Sequence, residues 1–202
     1  ARAIQMGMIP MIFPPFPERD DLDLAAKLVP AKEVGGDLYD FFIEDEKLYF
    51  IIGDVSGKGI PASLVMAVTC RLFRTVSDHV ATPAEIVTAL NDALAESNES
   101  NMFCTFFIGI LNLDNGHLQY CNAGHNAPVI IASTGEVKFM EVTPNLPLGL
   151  FGGFPYTGQE YDITQGASLF LYTDGVTEAE NKENALYSDE RLLELLAKQR
   201  NN

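Results

Sequence analysis

A chain of 202 residues with 47% hydrophobic residues can bury a sizeable core, which excludes a disordered polypeptide and favours one large domain. The formal net charge is −15, from 28 acidic and 13 basic residues, and this excludes a basic surface for binding nucleic acid. An anionic substrate would also be repelled, unless local cations reversed the field.

The first 17 residues are predicted to be a linker from an upstream sensor or receiver module. Residues 1–9 fit the end of a helix that begins upstream, and four prolines between positions 10 and 17 favour an extended connection. This apolar stretch is too short and too broken to span a bilayer, and no other apolar run reaches spanning length, so we expect no direct membrane insertion. No signal peptide is recognised.

The remaining residues, 18–202, are predicted to form one domain. Strand patterns dominate 22–54, 102–142 and 156–173, and the second region contains a hairpin turn at Asn115-Gly116 and another turn at Thr134-Gly135. Helices are predicted from Ile60, from a capping box at Thr82, and after Ser188. Strand runs with helices grouped between them predict an α+β fold with helices packed on antiparallel sheets.

Cysteine usage indicates the compartment. The cysteines form no Cys-x-x-Cys pair, and each lies in an apolar setting, so we expect reduced, buried thiols and a cytoplasmic location, with the cytoplasmic part of a larger membrane-bound sensor as the alternative. These residues are Cys70, Cys104 and Cys121.

Two acidic residues flank a predicted hairpin. If Asp45-Glu46 is the two-residue turn, every facing pair on one side of the hairpin is apolar, which gives a continuous core face. The facing pairs are Ile43 with Leu48, Phe41 with Phe50, and Tyr39 with Ile52.

One further step along this register places Asp37 opposite Asp54. Directly opposed Cβ atoms lie roughly 4.5–5.5 Å apart, so two carboxylates there are unfavourable unless one is protonated or a cation lies between them. Oxygen-only ligands favour a hard cation such as Mg²⁺ or Mn²⁺. The alternatives are that both residues lie at frayed strand ends in water, or that the turn is placed one residue differently.

Glycines surround both acidic residues and permit close approach of the backbone to a ligand. A turn after Asp54 would let a backbone carbonyl, such as that of Val55, join the coordination. The stretch from Gly53 lacks the spacing of a phosphate-binding P-loop and its Ser or Thr after lysine, so we reject that motif. A third carboxylate, Asp174, follows a predicted strand and precedes a glycine, a pattern more typical of a plain turn.

Four motifs occur in order along the chain: VGGDLYDF at 34–41, GDVSGKGIPA at 53–62, NAGHNAP at 122–128 and LYTDGVTEA at 171–179. Together they resemble the SpoIIE/RsbU-type branch of the type 2C metal-dependent serine phosphatases. The resemblance covers nearly the whole chain from about residue 4.

The resemblance implies a central antiparallel β-sandwich flanked by helices, with two divalent cations, Mn²⁺ or Mg²⁺, at one end. It assigns Asp37, Asp54 and Asp174 as metal-binding carboxylates, with the Val55 carbonyl as a further ligand and Asp54 as the bridging residue. It also implies a phosphoserine or phosphothreonine substrate, typically an anti-sigma-factor antagonist of the STAS fold. Self-association as a homodimer is left open.

The chain departs from the wider class in three ways. Ser56 stands where other type 2C enzymes carry a candidate general-acid histidine, which is usual in this branch. The phosphate-binding arginine has no clear counterpart, and Lys32 is the nearest cation. Family members normally continue to an Asp-Asp-x-Thr motif on a last strand, so we expect a domain truncated at its C-terminus, with that strand and one metal ligand missing.

Further candidates and rival functions remain open. Ser56 and Lys58 are candidates for phosphate binding, and His125 is a candidate either for substrate binding or for a structural hydrogen bond near the site. One rival is a catalytically weak or inactive metal-binding module that signals by docking. Another is a nucleotide hydrolase or phosphodiesterase with the same two-metal chemistry.

Overall fold

A computed structural model describes residues 2–30, 33–96 and 98–199, which build two stacked antiparallel sheets with helices on both outer faces. The helices are α1 (Arg2–Met6), α2 (Ile60–Ser77), α3 (Pro83–Glu96), α4 (Asp174–Thr177) and α5 (Asp189–Gln199). The strands are β1 (Leu38–Glu44), β2 (Lys47–Val55), β3 (Cys104–Asn112), β4 (His117–Ala123), β5 (Val129–Ile131), β6 (Val137–Phe139), β7 (Gln159–Asp162) and β8 (Ser168–Phe170).

The larger sheet has the order β1-β2-β3-β4-β7, and the predicted hairpin between β1 and β2 is confirmed. Ile43 pairs with Leu48, and the register runs from there to Leu38 opposite Gly53. The two turn residues, Asp45 and Glu46, have φ angles of 48° and 55°. Left-handed conformations at both central positions are the mark of the tight turn that matches the twist of a hairpin.

The smaller sheet has the order β6-β5-β8, and alternate residues of β5 show how the layers stack. Ile130 is buried in the main core, whereas its neighbour Val129 packs in a second cluster with Leu192 of α5. Successive side chains of a strand point to opposite faces, so β5 lies between the larger sheet and α5. The predicted α+β sandwich with helices on its outer faces is therefore confirmed.

The predicted long helices are also confirmed. At the start of α3, the Thr82 backbone N–H donates to Glu85 Oε2 over 3.1 Å, and the Glu85 N–H donates to Thr82 Oγ1 over 3.3 Å, which completes the capping box. Helix α2 is long and apolar enough to span a membrane by length and composition. This differs from the expectation that no apolar run beyond the N-terminal stretch would reach spanning length. Its buried residues, including Met66 and Phe73, pack in the domain core.

The region before β1 differs from its prediction. Residues 22–30 belong to neither sheet, although alternate side chains are partly buried against the core, so period-two patterning there did not produce a strand. The segment predicted as a linker also packs on the domain. Ile9 is buried, and Phe13 and Phe16 contact the ring of Phe41. A connection from these residues to an upstream module stays a prediction.

Candidate metal centre

The two acidic residues of the hairpin lie at the same end of the larger sheet. Asp54 is in β2, hydrogen-bonded across to Thr105 of β3. Asp37 lies one residue before β1, where continuation of the register from Leu38 opposite Gly53 leads to Asp54. Both carboxyl groups are half-buried.

Gly36 sets how closely the two chain segments approach. A Cβ atom at this position would lie 2.5 Å from the Val55 carbonyl oxygen and 3.1 Å from Asp54 Oδ1. The Val55 N–H donates to the Gly36 carbonyl over 3.3 Å, which holds the two segments together. The absence of a side chain at Gly36 therefore leaves a cradle of oxygen atoms beside Asp37.

The electrostatics show that the carboxylates are crowded. The pKa of Asp54 is raised to about 7, chiefly by burial and then by the negative charges of Asp37 and Asp174, against a smaller lowering by the Val55 N–H. Burial also raises the pKa of Asp37, with a hydrogen bond from Thr173 lowering it and Asp174 raising it. The ionised forms of Asp37 and Asp54 are therefore disfavoured beside the charge of Asp174, and a cation would stabilise them.

Asp174 reaches this site from the other sheet. It is exposed, and it begins the short helix α4 that follows β8. Within residues 2–30, 33–96 and 98–199, no three Asp, Glu, His or Cys side chains are close enough to form a complete metal-binding group. Asp37, Asp54 and Asp174 are therefore near enough to interact electrostatically, but they do not form a complete set of metal ligands. Their all-oxygen donor set fits a hard divalent cation.

The turn after Asp54 carries the candidate phosphate contacts. The Ser56 hydroxyl oxygen accepts a hydrogen bond from the Phe103 N–H over 2.9 Å, and the Ser56 N–H donates to the Phe103 carbonyl over 2.8 Å. Ser56 is therefore fixed to the start of β3, although its hydroxyl proton is still available to a ligand. Lys58 is exposed on the same turn. Lys32 lies outside the described residues.

His125 is buried, with only 7% of its surface exposed, and it lies beside Thr105, the register partner of Asp54. Its Nδ1 is 2.9 Å from Thr105 Oγ1, and its Nε2 is 3.0 Å from the Tyr172 carbonyl oxygen. Burial lowers the pKa of His125 to about 4, against a smaller opposing effect of the Tyr172 carbonyl. A neutral ring with both nitrogens engaged inside the protein suits a structural role better than substrate binding.

Sequence reasoning missed some residues that support the site. Gln5 of α1 is buried, and its side chain donates to the Gly35 carbonyl over 2.6 Å and accepts from the Gly35 N–H over 3.3 Å. The Thr105 hydroxyl of β3 donates to the Asp54 carbonyl over 3.3 Å, and Thr173, just before α4, hydrogen-bonds to the Asp37 side chain. In the sequence, only Thr173 could have been found, because it is adjacent to Asp174. The contacts of Gln5 and Thr105 join segments that are distant in sequence, so no local pattern indicates them.

Comparison with known proteins supports one family. The family model described as stage II sporulation protein E (SpoIIE) matches residues 44–202. The chain is 29% identical over 170 residues to phosphoserine phosphatase RsbU of Bacillus subtilis, which covers 84% of this chain and 51% of RsbU. The chain therefore spans about half the length of that relative.

Solved structures give the same fold. The RsbU and RsbW domains of Rv1364c from Mycobacterium tuberculosis match with a TM-score of 0.74 and 26% identity, over 84% of this chain and 47% of that one. RsbX in complex with magnesium matches with a TM-score of 0.62 and 18% identity, over 83% and 81% of the two chains. The motifs and the sandwich agree with these matches, and the chain belongs to the SpoIIE family as a phosphatase domain of the SpoIIE/RsbU type.

Proposed function

We propose that this domain hydrolyses phosphoserine or phosphothreonine esters on a partner protein, with water as the nucleophile. The observation that carries the proposal is the convergence of Asp37, Asp54 and Asp174: the charge of Asp174 raises the pKa values of both hairpin carboxyl groups, in addition to the effect of burial. In the reaction a bond forms between phosphorus and the water oxygen. The bond between phosphorus and the serine or threonine oxygen breaks, and that oxygen takes up a proton.

The three carboxylates and the Val55 carbonyl would hold two divalent cations, Mn²⁺ or Mg²⁺. Such ions, when bound, lower the pKa of a coordinated water and offset charge on the phosphoryl oxygens. The protein's own contribution is to fix the oxygen ligands. Gly36 allows the close approach, and the β1–β2 register sets the separation of the two hairpin carboxylates.

Ser56 and Lys58 are the proposed contacts to the phosphate. The Ser56 oxygen accepts from the Phe103 N–H, so its own proton can point toward a phosphoryl oxygen. Lys58 supplies a positive charge on the exposed side of the same turn. A local cation matters in this chain because the net charge of −15 opposes the approach of an anionic substrate.

The partner proposed is a phosphorylated anti-sigma-factor antagonist of the STAS fold, in the cytoplasm. Support comes from the family and from RsbU, a phosphoserine phosphatase. The three cysteines of the chain are free and buried, which fits a reducing compartment. An upstream sensor or receiver module and a homodimer are part of the same proposal for the whole protein.

The test is a phosphatase assay titrated with Mn²⁺, using a phosphoserine protein substrate and p-nitrophenyl phosphate. We expect Mn²⁺-dependent release of phosphate that falls by at least about 100-fold in Asp37→Asn and Asp54→Asn, with unchanged circular dichroism. Full activity in both variants, or in EDTA, would contradict the proposal.

One observation favours a second candidate, an inactive module that binds metal and signals by docking. The acidic residues of the described chain do not close into a complete metal-binding group. Under this alternative the protein binds the phosphorylated partner in Mn²⁺ without releasing phosphate. Selective hydrolysis of nucleotides in a parallel screen would instead support the nucleotide hydrolase.

A further inference from the structure

The ring of His125 connects two sides of the acidic site, here called the Asp54 wall (β2 and β3) and the Asp174 wall (the segment between β8 and α4). One nitrogen, Nδ1, lies 2.9 Å from the Thr105 hydroxyl on β3, and the other, Nε2, lies 3.0 Å from the Tyr172 carbonyl after β8. Thr105 is the register partner of Asp54, and Tyr172 lies two residues before Asp174. A single rigid ring therefore connects the strand that carries Asp54 to the segment that leads into Asp174.

The backbone of His125 is itself held in place, because both its N–H and its carbonyl are hydrogen-bonded to one side chain. Asn122 donates from Nδ2 to the His125 carbonyl over 2.8 Å and accepts the His125 N–H at Oδ1 over 2.7 Å. Gly124 forms a parallel bridge with Phe106, the residue next to Thr105. These contacts fix the position of the ring relative to the larger sheet. The hydrogen bond from the ring in turn fixes the Tyr172 carbonyl relative to that sheet.

The contacts also fix the direction of each hydrogen bond. A carbonyl oxygen only accepts, so Nε2 carries the proton and donates to Tyr172. Nδ1 of the neutral ring then accepts from the Thr105 hydroxyl. The same hydroxyl lies 3.3 Å from the Asp54 carbonyl oxygen, so its single proton is within reach of two acceptors.

We propose that His125 is a positioning residue that sets the distance between the Asp54 and Asp174 walls, and so the affinity of the site for divalent cations. The inference rests on the proposed function, because it assigns to His125 a role in the metal centre of that reaction. It replaces direct substrate binding, which the burial of the ring does not favour. Residues that hold metal ligands in place typically contribute 10- to 100-fold in metal affinity.

The test measures Mn²⁺ binding directly, from the electron paramagnetic resonance signal of free Mn²⁺ in the presence of the whole chain. We expect His125→Ala and Thr105→Val each to weaken binding by about tenfold, and the double variant to weaken it no more than the stronger single variant. Thr105→Ser keeps the hydroxyl and should bind as the wild type does. His125→Gln keeps one donor and should be intermediate.

A second measurement separates positioning from general loss of stability. The Mn²⁺ concentration for half-maximal phosphatase activity should rise about tenfold in His125→Ala, while kcat at saturating Mn²⁺ stays within about twofold. Phe73→Leu, a core substitution on α2, is the control: it should lower the melting temperature without changing the Mn²⁺ affinity.

Two results would overturn the proposal. One is wild-type Mn²⁺ affinity in folded His125→Ala. The other is additive losses in the double variant, which would mean that the ring and the hydroxyl act separately. If the wild type binds Mn²⁺ and the variants behave as expected but no phosphate is released, the proposed function fails and the positioning role stands. If the wild type binds no Mn²⁺, both fail.

Discussion

At the scale of single residues, Asp54 is the most strained group of the site in electrostatic terms. Its carboxyl group is half-buried, and Asp37 and Asp174 add negative charge around it. The folded protein therefore favours the protonated form, and the pKa rises to about 7. A group that costs stability when ionised is a common mark of a functional site rather than of a structural one.

This cost gives a stability prediction that depends on pH. In EDTA the folded state keeps a proton on Asp54 that the unfolded chain releases above about pH 4, so Asp54 lowers stability progressively between about pH 4 and pH 7. Asp54→Asn has no such titration. We expect it to melt at a higher temperature than the wild type at pH 8 in EDTA, by scanning calorimetry.

Added Mn²⁺ should reverse that order. It should raise the melting temperature of the wild type at pH 8 and affect Asp54→Asn much less, because a bound cation stabilises the ionised carboxylate. A lower melting temperature for Asp54→Asn than for the wild type in EDTA would count against the crowding argument.

Gly36 provides a steric prediction at the same scale. In Gly36→Ala the new methyl group would lie 2.5 Å from the Val55 carbonyl oxygen, which is backbone and cannot rotate away. We expect a loss of about 1–3 kcal/mol in unfolding free energy and weaker Mn²⁺ binding. Gly35→Ala is the matched control, since a Cβ there meets nothing within 4 Å. Equal effects of the two substitutions in urea unfolding would contradict this account.

At the scale of elements, α2 is fixed to β1 by one ion pair on the helix-covered face of the sheet. Arg74 donates from Nε to Asp40 Oδ2 over 2.7 Å and from Nη2 to Oδ1 over 2.5 Å. It also donates to the Phe41 carbonyl, and its guanidinium lies 4.6 Å from the centre of the Phe42 ring. The Asp40 side chain is only 5% exposed, so it depends on this partner.

Removing the cation should therefore be costly. Arg74→Ala leaves a buried carboxylate unpaired, and we expect a loss of about 2–4 kcal/mol in unfolding free energy, reduced from the value for a fully buried pair because Arg74 is partly exposed. Arg71→Ala, on the exposed side of the same helix, should change it by less than about 0.5 kcal/mol. Chemical denaturation measures both. A similar small effect for Arg74→Ala would mean that water replaces the guanidinium.

At the scale of the whole molecule, two separate apolar clusters among the residues that the structure describes hold the layers together. The main cluster lies between the sheets and under α2 and α3, and a smaller one joins α5 to the outer face of the smaller sheet. The smaller cluster contains Tyr172, whose carbonyl accepts from His125. Tyr172, just after β8, therefore belongs both to the packing of α5 and to the hydrogen bonds beside the acidic site.

A pair of leucines on α5 tests the smaller cluster. Leu192 is 2% exposed, whereas Leu195 is 43% exposed. We expect Leu192→Ala to cost about 2–5 kcal/mol in unfolding free energy and Leu195→Ala less than about 1 kcal/mol. Thermal melts in EDTA would show the difference. Equal losses would mean that α5 does not depend on this face for its packing.

The sequence by itself determined the local features, because these depend on neighbouring residues. Apolar pairing across Asp45-Glu46 predicted the hairpin register, and Thr82 with Glu85 predicted the start of α3. Both features depend on residues that are close together in sequence, so the spacing of apolar residues and the type of turn or cap residue are enough to predict them. The opposition of Asp37 and Asp54 followed from that register, so two of the three carboxylates could be predicted to lie together without a fold.

Only the tertiary structure decided what joins distant segments. Asp174 reaches the hairpin carboxylates because the smaller sheet stacks on the larger one, and His125 lies between them for the same reason. Residues 22–30 show the converse, since an alternating pattern indicates one buried face but does not supply a neighbouring strand. Periodicity reports which side of a segment is buried, whereas strand pairing and electrostatic crowding depend on partners that lie far away in sequence.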